Sequence, residues 1–211
     1  MRTPPRGLAA LVAGGLLVRG WFMVSARPGF LGYPDAVTYV IAAKEELFWS
    51  PYRPAGYPLV LRGLRAVHPR LAVAIGAQHA LGVATALMLH AVTARFVRRK
   101  ELALLPAGVV LLGGTQVALE HSVLAEAPYT FLLVASLALA SPSIGAPRPA
   151  PWLAGAGAAA GASATLRSAG SSRSPPSRPG PGGTPRPWLA ARRFPWPPTP
   201  SRSTARSAPG P

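Results

Sequence analysis

All six acidic residues of this 211-residue chain fall between Asp35 and Glu126, and three of them, Asp35, Glu120 and Glu126, stand at the ends of apolar runs. A carboxylate so placed can take the proton of an acceptor hydroxyl, orient a polar substrate or contribute to a divalent cation site. Acidic groups at the ends of membrane-length segments are costly, and a pathway, partner or ligand usually retains them. His121, beside Glu120, adds an imidazole donor. Arg27, Arg53, Arg62, Arg65 and Arg70 follow the first apolar run, and an anionic group such as phosphate would explain them. Arg53, next to Pro54 and the turn Gly56-Tyr57-Pro58, is the best candidate for a two-pronged phosphate contact. Plainer readings stand beside these. Asp35 could cap the helix that follows it, Glu120 and Glu126 could face water in a turn, and Arg62 and Arg65 could touch lipid headgroups. No spacing among these residues matches a specific metal motif, so no metal ligand is assigned, although a divalent metal stays compatible with the donors. No nucleotide-binding glycine motif occurs. His68, His79 and His90 read as packing or interfacial residues, and Gly14-Gly15 and Gly113-Gly114 as close helix contacts.

The elements that would position these groups are membrane helices. With 49% hydrophobic and 13% charged residues, the chain is too apolar in long runs for an ordinary soluble domain. Cysteine is absent, which excludes disulfides and thiolate chemistry. Apolar runs at 7–24, 71–96, 102–119, 123–140 and 152–166 predict about five transmembrane helices, the last a weaker Ala/Gly-rich one. In the first, Arg19 followed by Trp21, Phe22 and Met23 makes a poor small-residue cleavage site, which favours an uncleaved span over a signal peptide. Arg2 and Arg6 before it, and Arg95, Arg98, Arg99 and Lys100 after the second run, place the N-terminus and those clusters in the cytoplasm.

Residues 25–70 then form one long external loop, with short helices expected at 35–47 and 58–67 lying on the membrane surface. The expected fold is therefore an all-α integral membrane protein of the cell membrane, multi-pass, followed by a Pro/Arg/Ser-rich tail. Eight of the 22 basic residues and 12 of the 26 prolines lie in the last 45 positions, which hold no acidic residue. Such a segment cannot bury enough apolar surface to order itself. A change of reading frame near Gly170 is the favoured origin of this tail, against a natural disordered tail or a basic nucleic-acid-binding arm; no nucleic acid is expected as partner. The domain division is 1–168 and 169–211.

The order of short motifs is informative. Gly32-Tyr33-Pro34-Asp35-Ala36-Val37-Thr38-Tyr39 is followed by Arg53-Pro54-Ala55-Gly56-Tyr57-Pro58-Leu59, and then by Glu120-His121-Ser122-Val123-Leu124-Ala125-Glu126-Ala127-Pro128-Tyr129. In this order, and in the Ala/Gly-rich last run ending at Arg167, residues 7–168 resemble the N-terminal part of the polytopic GT-C glycosyltransferases. The similar branch contains the dolichyl-phosphate-mannose protein mannosyltransferases and bacterial lipid-linked sugar transferases. The resemblance implies transfer of a sugar, with inversion, from a polyprenyl-phosphate donor to a glycan, lipid or protein acceptor at the extracytoplasmic face of the cell envelope. It implies Asp35 as base, Glu120 and Glu126 as further catalytic groups, and Arg53, Tyr39, Tyr57 and His121 as substrate-binding residues. Many relatives carry two adjacent acidic residues where this chain has Asp35-Ala36. Such enzymes also continue through further spans, so an inactive fragment is one expectation. A noncatalytic assembly protein and a small transporter subunit are the alternatives.

Overall fold

The computed structural model describes residues 6–27, 29–45, 47 and 54–167. The tail and Arg53 lie outside the described residues, as does the frame-change reading. Eight α-helices account for the described fold: α1 (Arg6–Ser25), α2 (Pro34–Lys44), α3 (Gly56–Val67), α4 (Leu71–Phe96), α5 (Leu104–Leu112), α6 (Gly114–Glu120), α7 (Glu126–Ala140) and α8 (Ala150–Leu166). Short 3-10 turns at Lys100–Ala103 and Ser141–Ser143 join α4 to α5 and end α7. The one β-type contact among the described residues is a bridge between Phe30 and Ser122.

Two helices, α1 with 20 residues and α4 with 26, are long and apolar enough to cross a membrane. The expected third run is not one helix: α5 and α6 meet at Gly113 with a bend of 51°, and together they would make a further, broken span. The break has a local cause. Gly113 is extended (φ −66°, ψ 116°), so the helix stops and restarts there. The runs at 123–140 and 152–166 become α7 and α8, of 15 and 17 residues, shorter than the roughly 20 that a span requires.

Helix order follows from a few contacts. A side chain at Gly7 would meet Leu104, one at Gly15 would meet Leu111, and Arg19 reaches Glu120, so α1 runs alongside α5 and α6 in the same direction. α4 runs opposite, with His79 on Glu120 and His90 on the Ala103 carbonyl. α7 packs on α4 and α8. One pole of the bundle consequently gathers the end of α1, α2, α3, the start of α4, the turn between α6 and α7, and the end of α8. A main buried cluster sits there and includes Ala36, Tyr39, Tyr57, Ile75, Val123 and Leu166. Large apolar side chains elsewhere face outward, among them Leu17 and Trp21 on α1, Val109 on α5 and Leu137 on α7. Helices that are apolar all round suit burial or lipid better than water.

The pole is sealed by two surface helices. α2 begins with Pro34 at its first position, where the missing N–H costs nothing. It ends at Lys44 rather than at residue 47, and α3 begins at Gly56 rather than 58. α3 is the amphipathic member expected from its sequence, burying Tyr57, Pro58 and Leu61 and exposing Leu59, Arg65 and Val67. Arg62 does not reach outward for headgroups. It donates to the carbonyls of Ala42, Ala43 and Glu45, which are the unpaired acceptors at the end of α2.

Candidate functional site

Six of the sequence-derived site residues reach this pole, and four of them belong to its α2, α3 and α7 side. Asp35 lies in the first turn of α2, half-buried, while the N-cap position belongs to Tyr33, which makes no side-chain cap. Asp35 is thus placed within the first turn and is not the N-cap residue. One helical turn further, Tyr39 is buried and meets the ring of Tyr57 edge-on, with centroids 4.9 Å apart. The Tyr57 hydroxyl donates to Gln78 Oε1 at 2.7 Å. Burial pushes the Tyr57 phenol far above the ordinary tyrosine range, and the neighbouring Tyr39 and the Glu126 carboxylate push it the same way. Glu126 is half-buried and opens α7, where a negative charge is favoured by the helix dipole. Tyr129 lies one turn along α7, with the Arg167 guanidinium 5.7 Å above its ring centroid.

Next to this cluster is a cleft of about 260 Å³ between α2, α3 and the start of α4. Val40, Leu61 and Leu64 line its apolar part, and the exposed Lys44, Arg65 and Arg70 line its rim. Ala43 and Leu61 belong to both the cleft and the tyrosine cluster.

Glu120 and His121 are placed differently. The turn between α6 and α7 is not water-facing at Glu120, which is completely buried. Arg19 grips its carboxylate with both arms, Nε to Oε2 and Nη2 to Oε1, each at 2.8 Å. The same guanidinium donates to the carbonyls of Gly15, Leu111 and Val110. Leu111 and Val110 are acceptors orphaned by the break at Gly113, so one side chain of α1 both neutralises Glu120 and caps α5. Gln116 Nε2 adds a bond to Glu120 Oε1 at 3.1 Å. Gly82 leaves the room: a Cβ there would fall on the Glu120 carboxylate.

His79 is not a simple packing residue. Its Nδ1 lies 3.0 Å from Glu120 Oε2, and its Nε2 lies 3.1 Å from His121 Nδ1. His121 continues through Nε2 to the carbonyl oxygen of Ala26 at 2.8 Å. Gln78 ties this network to the tyrosines, since its Nε2 donates to the backbone oxygens of Glu120 and Ser122 while its Oε1 receives Tyr57. No buried side-chain nitrogen or oxygen among the described residues lacks a partner.

The site therefore has two compartments: a half-open cluster of Asp35, Tyr39, Tyr57 and Glu126, and a closed network of Arg19, His79, Glu120 and His121. Sequence reasoning overlooked Arg19, Gln78 and His79. A lone arginine inside an apolar run is itself a signal, because such a charge demands a partner. Among the described residues, no group of three or more His, Asp and Glu side chains is arranged to hold a metal ion. Compared with protein-family models, with curated proteins and with solved structures, the chain matches none.

Proposed function

We propose that this chain acts in a membrane as a glycosyltransferase of GT-C type, moving a sugar from a polyprenyl-phosphate donor to an acceptor outside the cytoplasm. In this reading α1, α4, the broken pair α5–α6, α7 and α8 are the five crossings, with the N-terminus in the cytoplasm. The observation that carries it is the meeting of Glu126, Tyr39 and Tyr57, one turn from Asp35, beside an apolar cleft rimmed by three cations. An anionic lipid needs both features, an apolar wall for its chain and cations for its phosphate. Asp35, half-buried in the first turn of α2, is the base that takes the acceptor hydroxyl proton while the sugar leaves the phosphate oxygen. Glu126 holds the acceptor, and Tyr39 and Tyr57 shape the wall between them.

Sugar transfer from a polyprenyl-phosphate donor, measured on the chain and on its Asp35→Asn variant, tests this. The expected result is transfer by the chain and a loss of roughly a hundredfold or more in the variant, the scale of a removed general base. Equal rates, or no transfer by either protein with a range of polyprenyl-phosphate sugars, would count against it.

A further inference from the structure

The closed network contains a chain of three hydrogen bonds that fixes a proton count. At one end, His121 Nε2 meets the carbonyl oxygen of Ala26, which can only accept, so this nitrogen carries a hydrogen. At the other end, His79 Nδ1 meets Glu120 Oε2. That carboxylate already receives Arg19 twice and Gln116 once, the environment of an ionised acceptor, so His79 Nδ1 carries a hydrogen as well. Between them, His79 Nε2 and His121 Nδ1 need one more hydrogen for their own bond. Two imidazoles therefore hold three protons on four nitrogens, whereas two neutral imidazoles hold two.

We propose that His79 and His121 share this one extra proton, and that it helps to clamp Ala26 and Phe30 onto the turn leading into α7. The inference goes beyond sugar transfer and does not rest on it. Around the pair, α1 contributes Arg19 and the ring of Phe22, α6 contributes Glu120 and Gln116, α4 contributes Gln78, and the loop contributes the ring of Phe30. Glu120 is the negative group in direct contact with the pair, 3.0 Å from His79 Nδ1, and it is held on its other side by the buried Arg19. Loss of the proton breaks one of the three bonds, because no hydrogen then remains for it.

The mechanical consequence is local. Ala26 is held by His121 Nε2, and Phe30 by its N–H donating to the His121 carbonyl and its carbonyl receiving Val123 N. Gly29, at φ 137°, adopts a backbone that favours glycine and packs so closely that a Cβ would press on Ile75 and the His121 carbonyl. This segment leads from α1 to α2 and so sets where Asp35 stands relative to Glu126. His79 and His121 are positioning residues, and the proton they share supports the imidazole contact that adds to these two backbone bonds.

Nitrogen NMR of the full-length chain in detergent micelles tests the count. The chain has four histidines, and replacing the two outside the network (His68→Gln, His90→Gln) leaves only the pair in a histidine-labelled spectrum. At neutral pH the pair should show one unprotonated nitrogen in total, averaged across the bond between the rings. Two unprotonated nitrogens, as for neutral imidazoles with the proton on Glu120 or absent, overturn the proposal. Raising the pH until the shared proton leaves should speed amide exchange at Phe30 and Val123 by roughly tenfold beyond its ordinary pH dependence, as a local opening would. Unchanged protection at those two amides after the proton has left would overturn the clamp.

Discussion

Arg19 and Glu120 depend on each other in a way that neither shows alone. Both are essentially removed from solvent, at 3% and 0% exposure, so deleting either takes from the other's buried charge its two-armed partner. Arg19→Met should destabilise the folded chain by about 3–5 kcal/mol, the usual effect of orphaning one member of a buried pair. Replacing both, as Arg19→Met with Glu120→Leu, should recover only part of that loss in denaturant titrations in detergent, because the histidine pair then loses the anion that His79 contacts. A double variant no more stable than the single one would show that the carbonyl contacts of Arg19, not its pairing with Glu120, dominate. Tyr57 gives a pH prediction at the same scale. Its raised folded-state value means that its stabilising contribution is fully present below about pH 10, where free phenols begin to ionise, and is lost as pH climbs above that. Tyrosinate absorbance should therefore be the same for the chain and for Tyr57→Phe until the alkaline unfolding transition, and should differ by one phenolate after it. An extra phenolate in the folded chain at ordinary tyrosine pH would contradict the burial.

At the level of elements, the surface helices are fastened by backbone contacts as much as by side chains. Gly56 approaches the Thr165 backbone at the end of α8, where a Cβ has no room. Gly56→Ala should push α3 away from α8 and cost about 1–3 kcal/mol, as overpacking does, with faster amide exchange in α3 as the direct readout. Helix existence was legible in the sequence because apolar runs and Pro34 mark it, and α1 and α4 lie within two residues of the expected runs. The break at Gly113 was not. A Gly-Gly pair reads equally as close packing or as interruption, and only the partner that satisfies the freed carbonyls, Arg19, decides between them. Arg62 was likewise misread as an outward cation, since helix periodicity gives its direction but not the three carbonyls waiting at the end of α2.

For the molecule as a whole, the gathering of distant segments at one pole was foreseeable from the alternation of apolar runs and short turns, and the division of the acidic residues into two compartments was not. Residues 35, 120 and 126 all reach that pole, yet Glu120 turns inward because α1 supplies a cation 101 residues earlier in the chain. The absence of native cysteine makes the membrane reading directly testable. Single cysteines at Asp35, Glu126 and Arg99, in reconstituted vesicles, should react with an impermeant thiol reagent from one side for the first two and from the opposite side for Arg99. Labelling of all three from the same side would remove the five-crossing arrangement.

The hundred-residue gap between Arg19 and Glu120 also constrains biogenesis. If α1 is the membrane crossing proposed above, a ribosome that delivers it into lipid first leaves a guanidinium there with no counter-ion until α6 emerges, at a cost of about 2.5–3.5 kcal/mol on insertion scales. The earliest helix is then the least settled one, free to slip toward the headgroups, and it acquires its final depth only when synthesis has nearly reached the turn before α7. Ribosome-stalled intermediates ending before and after residue 120 should differ in how deeply α1 is protected.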